Sequence, residues 1–243
     1  MEVSFLCRSF GRTERGRIRR VNEDAFLACD SAGLWAVSDG MGGHSAGDVA
    51  SQIVIGELKS VATASKLTKE EVEQSLRSAN AMLLENSARL GFKRGMGATV
   101  AVLGVRDSRF FCLWVGDSRI YRLRSEQFTQ LTRDHRLVQD LVDVGALDAN
   151  AARNHPRRNV LMRAVGLHPE LIVDGCNGAV QENDTYLLTT DGVTALCEDD
   201  ELSALLELAS LSDVADEIVL RCYRRGGHDN LAFVLVRVCG RLS

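Results

Sequence analysis

Apolar residues along this chain recur at two spacings, every second residue or every third to fourth, and the order of those stretches predicts its elements. Residues 25–29 and 34–38 form short alternating or continuous apolar runs and read as neighbouring strands. From Ala46 to Leu58 the apolar residues, Val49 and Ile53 among them, fall at helical spacing directly after a glycine-rich turn, predicting a helix packed on the sheet. Thr68-Lys69-Glu70-Glu71 fits a capping box, with Leu67 and Val72 placed to close a hydrophobic staple. From there Val72, Leu76, Ala79, Leu83 and Leu90 trace one helical stripe.

Thr99–Val105, Phe110–Val115 and Ile120–Arg124 are rich in β-branched and aromatic residues and are joined by short polar links. That spacing predicts an antiparallel meander with Gly116-Asp117-Ser118-Arg119 at a hairpin tip. Residues 135–165 lose the strand pattern, mix in short helical stretches and read as an irregular insertion. Strands are expected again at 170–174, 185–190 and 231–238, with helices at 199–209 and 212–224. Strands and helices arrive in blocks, which predicts an α+β layered fold on antiparallel sheets.

Composition narrows the class. At 243 residues and 45% hydrophobic content the chain can bury a sizeable core, and no Pro/Gly/Ser linker divides it, so a single domain over 1–243 is expected. The formal net charge of −4 gives no general attraction to nucleic acid or to an anionic membrane. No apolar run approaches the ~20 residues needed to span a bilayer, and the N-terminus lacks a secretory apolar segment. The seven cysteines are odd in number and lie mostly inside apolar runs, as reduced core cysteines do, so a cytoplasmic protein is expected. The arginines between Arg8 and Arg20 read, for the most part, as a solvated basic face or arm.

The chemistry lies in the acids. Two distant apolar runs, Leu34 to Ser38 and Tyr186 to Thr190, both stop on Asp-Gly, at Asp39-Gly40 and Asp191-Gly192. Asp117 follows Trp114-Val115-Gly116, and Asp229-Asn230 runs straight into the apolar stretch from Leu231. A single Asp-Gly is more often an ordinary turn. Four aspartates at strand ends, with Asn22-Glu23-Asp24 before another strand, point to one acidic pocket. Two bare carboxylates about 4 Å apart repel by roughly 4 kcal/mol at an effective dielectric of ~20, so such a pocket calls for cations. Hard divalent ions suit oxygen ligands.

Taken in order, Arg19-Arg20-Val21-Asn22-Glu23-Asp24, Asp39-Gly40-Met41-Gly42-Gly43-His44 with Gly47, Gly97-Ala98-Thr99, Gly116-Asp117-Ser118-Arg119, Asp191-Gly192 and Gly227-His228-Asp229-Asn230 resemble the bacterial PPM-type, protein phosphatase 2C-like, metal-dependent serine/threonine protein phosphatases. The resemblance runs from about residue 8 to 238. It implies a four-layer αββα sandwich of two antiparallel sheets flanked by helices, with two manganese or magnesium ions, and a possible third, at one edge.

Carried over, the resemblance implies that Asp39 bridges both ions, that the Gly40 carbonyl reaches the second, and that Asp191 and Asp229 complete the first. It places Glu23 and Asp24 behind metal-bound waters, gives Asp117 with Asp191 to a weaker third ion, and makes Arg19 the phosphate-binding arginine. A lysine is not equivalent there, because only the planar guanidinium fork donates two parallel hydrogen bonds. His44 and Asn230 are further candidates. Animal relatives carry a histidine after Asp-Gly where this chain has Met41, and His135, His155 and His168 read as loop or surface residues. The implied activity is hydrolysis of phosphoserine and phosphothreonine in proteins by a metal-activated water, opposing a bacterial Ser/Thr kinase, by a monomer whose flap-like insertion at 135–165 helps choose partners.

Two rivals use the same acids differently, a metal-dependent phosphodiesterase or nucleotidase acting on small molecules and a catalytically silent phosphoprotein-binding module. None of the cysteines has an arginine six residues on, and there is no Gly-x-x-x-x-Gly-Lys loop or His-Glu-x-x-His helix.

Overall fold

A strand with apolar residues on both faces must be covered on both sides, and this chain meets that demand by stacking two sheets and capping each with helices. The computed structural model describes residues 4–42, 46–63, 67–91 and 95–242. In chain order the first half comprises β1 Ser4–Glu14, β2 Asp24–Cys29, β3 Leu34–Met41, α1 Ala46–Ala62, α2 Lys69–Leu90, β4 Gly97–Ala98, β5 Val100–Arg106 and β6 Arg109–Val115. The second half comprises β7 Arg119–Arg124, β8 Gln127–Gln130, α3 Leu137–Asp143, α4 Ala149–Arg153, β9 Asp174–Ala179, β10 Thr185–Thr189, α5 Asp191–Thr194, α6 Asp199–Leu206, α7 Leu211–Arg224 and β11 Leu231–Leu242.

One sheet runs β1-β11-β10-β7-β8; the other runs β2-β3-β5-β6-β9, with β4 paired to the end of β3. All the ladders are antiparallel. Period-2 alternation sorts their side chains into three apolar layers. Trp35 and Val37 of β3 meet Tyr186, Leu188, Val234 and Val236 between the sheets. Leu34 and Ala36 face the other way, onto Val54, Ile55 and Leu58 of α1 and Val72, Leu76 and Leu83 of α2. Leu187, Leu231, Phe233 and Leu235 lie under α6 and α7, against Leu202, Val214 and Ile218. The result is the αββα order.

Local signals behave as their chemistry requires. Thr68 caps α2 with its side chain accepting from Glu71 N while Glu71 returns the bond to Thr68 N, and Gly91 closes the helix in the left-handed conformation at φ 68°. The face that α1 buries is Ala50, Val54, Ile55 and Leu58, whereas Val49 stands exposed.

Four expectations are corrected. Of the two readings of the N-terminal arginines, the solvated face holds and the free arm does not: Arg8 and Arg12 lie on β1, which pairs along β11 at a sheet edge, and Arg15, Arg17 and Arg20 are exposed beyond it. The three runs of the supposed meander are split between sheets, since β6 pairs with β5 and β9 whereas β7 pairs with β10 and β8. Gly116 at φ 109° makes that crossing, so Asp117 sits on a link between sheets and not at a hairpin tip. The strand expected at 170–174 begins at Asp174, where the β6 edge becomes available.

Phe233 is fully buried under α6 and α7. Phe233→Ala should therefore lower unfolding free energy by roughly 3–5 kcal/mol, read as a reduced urea midpoint at unchanged slope.

Candidate metal centre

β2 and β3 are in a register that sets Asp24 opposite Asp39. Thr190 Oγ1 donates to Asp24 Oδ2 at 2.7 Å while accepting from Ala232 N at 3.0 Å, which ties the acid pair of one sheet to the other sheet. Asp39 does not end its strand, as the Asp-Gly signal implied. β3 continues through Gly40 and Met41 because Ala98 and Gly97 of β4 supply partners. Thr99 then clamps the aspartate, its Oγ1 accepting from Asp39 N at 3.0 Å and its backbone N–H donating to Asp39 O at 2.8 Å. Thr99 Oγ1 is itself 2.7 Å from Ser118 Oγ on the inter-sheet link that carries Asp117. These contacts give the Gly97-Ala98-Thr99 and Gly116-Asp117-Ser118-Arg119 motifs a common job, holding Asp39 and Asp117 in place.

Glycine at 40 and 47 follows from close backbone approach. A Cβ on Gly40 would lie 1.8 Å from Gly47 O, and one on Gly47 would lie 2.4 Å from Glu23 Oε1. The start of α1 thus presses the Gly40 carbonyl region and Glu23 together, and the nearby Gly47 backbone favours the charged form of the Glu23 carboxylate. Asp191 opens α5 directly after β10, and Gly192 lies so near Asn230 O that a Cβ there would stand at 1.9 Å.

Asn230 is the tie for the arginine loop. Its Nδ2 donates to Arg15 O at 2.8 Å and Val21 O at 3.0 Å, and its Oδ1 accepts from Glu23 N at 2.9 Å. This buried amide anchors the ends of the 15–23 segment to the head of β11, so Asn230 positions other groups. On that segment, Arg19 donates Nη2 to Asp229 Oδ2 at 2.8 Å.

The acids crowd one another electrostatically. Burial, followed by Asp24, Asp191, Asp117 and Asp229, pushes the Asp39 carboxyl well above its usual range. Asp24 is pushed up to about 8, by burial first, although the Thr190 hydrogen bond opposes the rise. Asp191 is raised to about 6 by burial and then by Asp117, with the Arg136 guanidinium pulling the other way. Burial also raises Glu23. Among the described residues no three acidic, histidine or cysteine side chains stand together as a closed ligand shell. Their oxygens turn to protein donors, Asp229 to Arg19, Asp24 to Thr190, and Asp117 and Asp191 to Arg136. The donor set fits hard divalent ions nonetheless: all ligand atoms are oxygen, and a cation would supply the compensation that the raised carboxyls otherwise obtain from protons.

The structure therefore brings Glu23, Asp24, Asp39, Asp117, Asp191 and Asp229 into one electrostatic neighbourhood, with Arg19 at its edge. His44 lies outside the described residues. His135, expected at the surface, is buried beside Trp114. Its Nδ1 accepts from Gly116 N at 3.1 Å, which leaves the proton on Nε2, 3.2 Å from Asp174 Oδ2. Burial lowers its pKa, so it is a neutral brace for the inter-sheet link. His228 is exposed. Sequence reasoning missed Arg136, whose guanidinium lies across Asp117 and Asp191, because no local pattern marks a lone arginine.

Comparison with known proteins agrees with this architecture. Residues 14–216 match the family model described as protein phosphatase 2C. The serine/threonine phosphatase Stp of Listeria welshimeri is 38% identical over 235 residues, 93% of each chain. PppA, described as a key regulatory component of T6SS in Pseudomonas aeruginosa, superposes with a TM-score of 0.89 at 35% identity over 97% of this chain and 99% of that one. The catalytic domain of the phosphatase PstP, solved with two manganese ions, gives 0.89 at 30% identity over 98% of this chain and 100% of that one.

Asp24 and Asp39 hold protons more tightly folded than unfolded, so in chelator their contribution to stability is full below the unfolded pKa and is lost as pH rises through the folded one, about 8 for Asp24. Chelated protein should melt lower at pH 8.5 than at pH 5.5, by roughly 2–4 °C per kcal/mol lost, and manganese should reverse most of that drop. Equal melting temperatures at the two pH values would contradict the crowding. In Asn230→Ala the arginine loop loses its tether, and KM for a phosphopeptide should rise about tenfold while the far-ultraviolet spectrum stays native.

Proposed function

The chain belongs to the protein phosphatase 2C family, a metal-dependent serine/threonine protein phosphatase, and we propose that its centre is built from Asp39, the Gly40 carbonyl, Asp191 and Asp229, with Arg19 receiving the substrate phosphate. What supports the site assignment is the mutual crowding of carboxyls around Asp39, which four other aspartates raise in addition to burial. Two divalent ions, manganese or magnesium, would supply there the charge that acidifies a water and offsets charge developing on phosphoryl oxygens. Phosphate monoesters hydrolyse so slowly unaided that a catalyst has to contribute both effects.

The chain's own groups do the rest. Arg19 is half exposed and commits Nη2 to Asp229, leaving other guanidinium donors for a phosphoryl oxygen. The Asp229 contact keeps that cation beside the centre before substrate arrives. Glu23 and Asp24 border the centre as acceptors that can orient water, Glu23 being set by the bond of its backbone N–H to Asn230 and by close packing on Gly47, and Asp24 by Thr190. No cysteine is needed as nucleophile. Residues 135–165 leave and rejoin the body at neighbouring points, with Leu137 N bonded to Val160 O and Met162 N to His135 O, so the excursion is rooted next to Asp117. We assign it partner selection, treat 1–243 as one domain acting as a monomer, and set the protein in the cytoplasm opposite a bacterial Ser/Thr kinase. No helix among the described residues is long and apolar enough to cross a membrane.

Turnover of phosphothreonine peptide should require manganese or magnesium, cease in chelator and fall roughly 10²–10³-fold in Asp39→Asn and Asp191→Asn. Arg19→Lys should raise KM about tenfold with a smaller change in kcat. Faster turnover of small phosphodiesters or nucleotides than of phosphopeptide would refute the substrate assignment, and full activity in Asp39→Asn would refute the site.

A further inference from the structure

Arg136 has no part in a two-ion centre, yet it is the cation most deeply placed among the acids. Its backbone is locked: it precedes α3, bridges to Leu161, and follows His135, whose N–H donates to Gly116 O at 2.9 Å. From there Nε donates to Asp117 Oδ2 at 2.5 Å and Nη2 to Asp191 Oδ2 at 3.0 Å. The arginine side chain is 16% exposed and that of Asp117 6%. Nearby Asp134 offers no alternative partner, since Arg119 already engages both of its oxygens at 2.8 and 2.7 Å.

Asp117 and Asp191 are the carboxylates to which the family resemblance gives a third ion. A third divalent ion and this guanidinium would need the same oxygens and would repel each other at contact distance. The pair does not fit a third ion while Arg136 stays. We infer that Arg136 is a resident substitute for the third metal, so that this chain works with two ions and a fixed guanidinium; the inference rests on the two-ion centre proposed above. The guanidinium occupies one oxygen of Asp191 and leaves Oδ1 for the first ion. It also ties the root of the 135–165 excursion to the centre, a link that a freely exchanging ion would not make. Arg136 therefore acts as a positioning residue.

Manganese uptake measured by equilibrium dialysis or titration calorimetry, which needs no turnover, tests this. The wild-type chain should bind two ions, and Asp117→Asn should still bind two, more weakly because the cluster has lost one charge, since Asp117 donates no oxygen to either ion while Arg136 holds it. Arg136→Ser should gain a third, weaker ion, which the double variant Arg136→Ser/Asp117→Asn should lose again. A wild-type chain that binds three ions and loses one in Asp117→Asn would overturn the inference and leave the two-ion centre standing. So would a folded Arg136→Ser that still binds only two. Should Arg136→Ser fail to fold, the wild-type and Asp117→Asn pair decides alone. A wild-type chain that binds no manganese would overturn the two-ion reading itself, and the substitute with it.

Discussion

Like-charge repulsion among carboxylates at the junction of two sheets is the constraint around which this structure is organised. Five aspartates and a glutamate meet where water is partly excluded, and burial together with neighbouring negative charge makes Asp24, Asp39, Asp191 and Glu23 harder to ionise. Left alone, such a cluster would push the sheets apart or hold protons at neutral pH. The surrounding chain restrains it from three sides: Thr190 stitches Asp24 to the opposite sheet, Arg19 reaches Asp229 from the rim, and Arg136 reaches Asp117 and Asp191 from the root of the insertion. Stored repulsion of this kind is what makes the cluster avid for cations, so the feature that strains the fold is also the one that equips it for phosphoryl chemistry.

The sandwich supplies the stiffness that such crowding demands. Three apolar layers flank and separate the sheets, and strands such as β3, β10 and β11 carry buried residues on both faces. A strand so constrained cannot slip by one residue without exchanging its two sets of side chains between layers. The Asp24–Asp39 pairing therefore inherits its register from Trp35 and Val37 on one side and Leu34 and Ala36 on the other. Close backbone approach at Gly40 and Gly47 brings Glu23 in as well.

How far the chain could be read in advance depended on whether a feature was local. The capping box at Thr68, the stripe from Val72 to Leu83 and the apolar runs ending near Asp39 and Asp191 are written in adjacent residues, and they were legible. The order of strands across the sheets was not, because alternation says which face a residue takes and nothing of its neighbouring strand. Thus β6 and β7, contiguous in sequence, part at Gly116. β1 was obscured because Arg8 and Arg12 break its apolar pattern, although Phe5 and Cys7 point into the layer between the sheets. Arg136 gave no signal at all. Its partners lie 19 and 55 residues away, and only the folded chain brings them together.

The pairing of β1 with β11 has a consequence for biogenesis. Asp229 and Asn230 stand at the head of β11, which follows every other described element in the sequence. While a nascent chain is still leaving the ribosome, β1 has no neighbour, the Arg19 segment has no anchor, and the acids already translated lack one of their number. Long-range closure of this sort is the slow step of β-rich folding. Until the final strand docks, the acidic cluster is short of Asp229 and the loop carrying Arg19 is without its tie through Asn230, so the last strand to be made is also the one that closes the cluster.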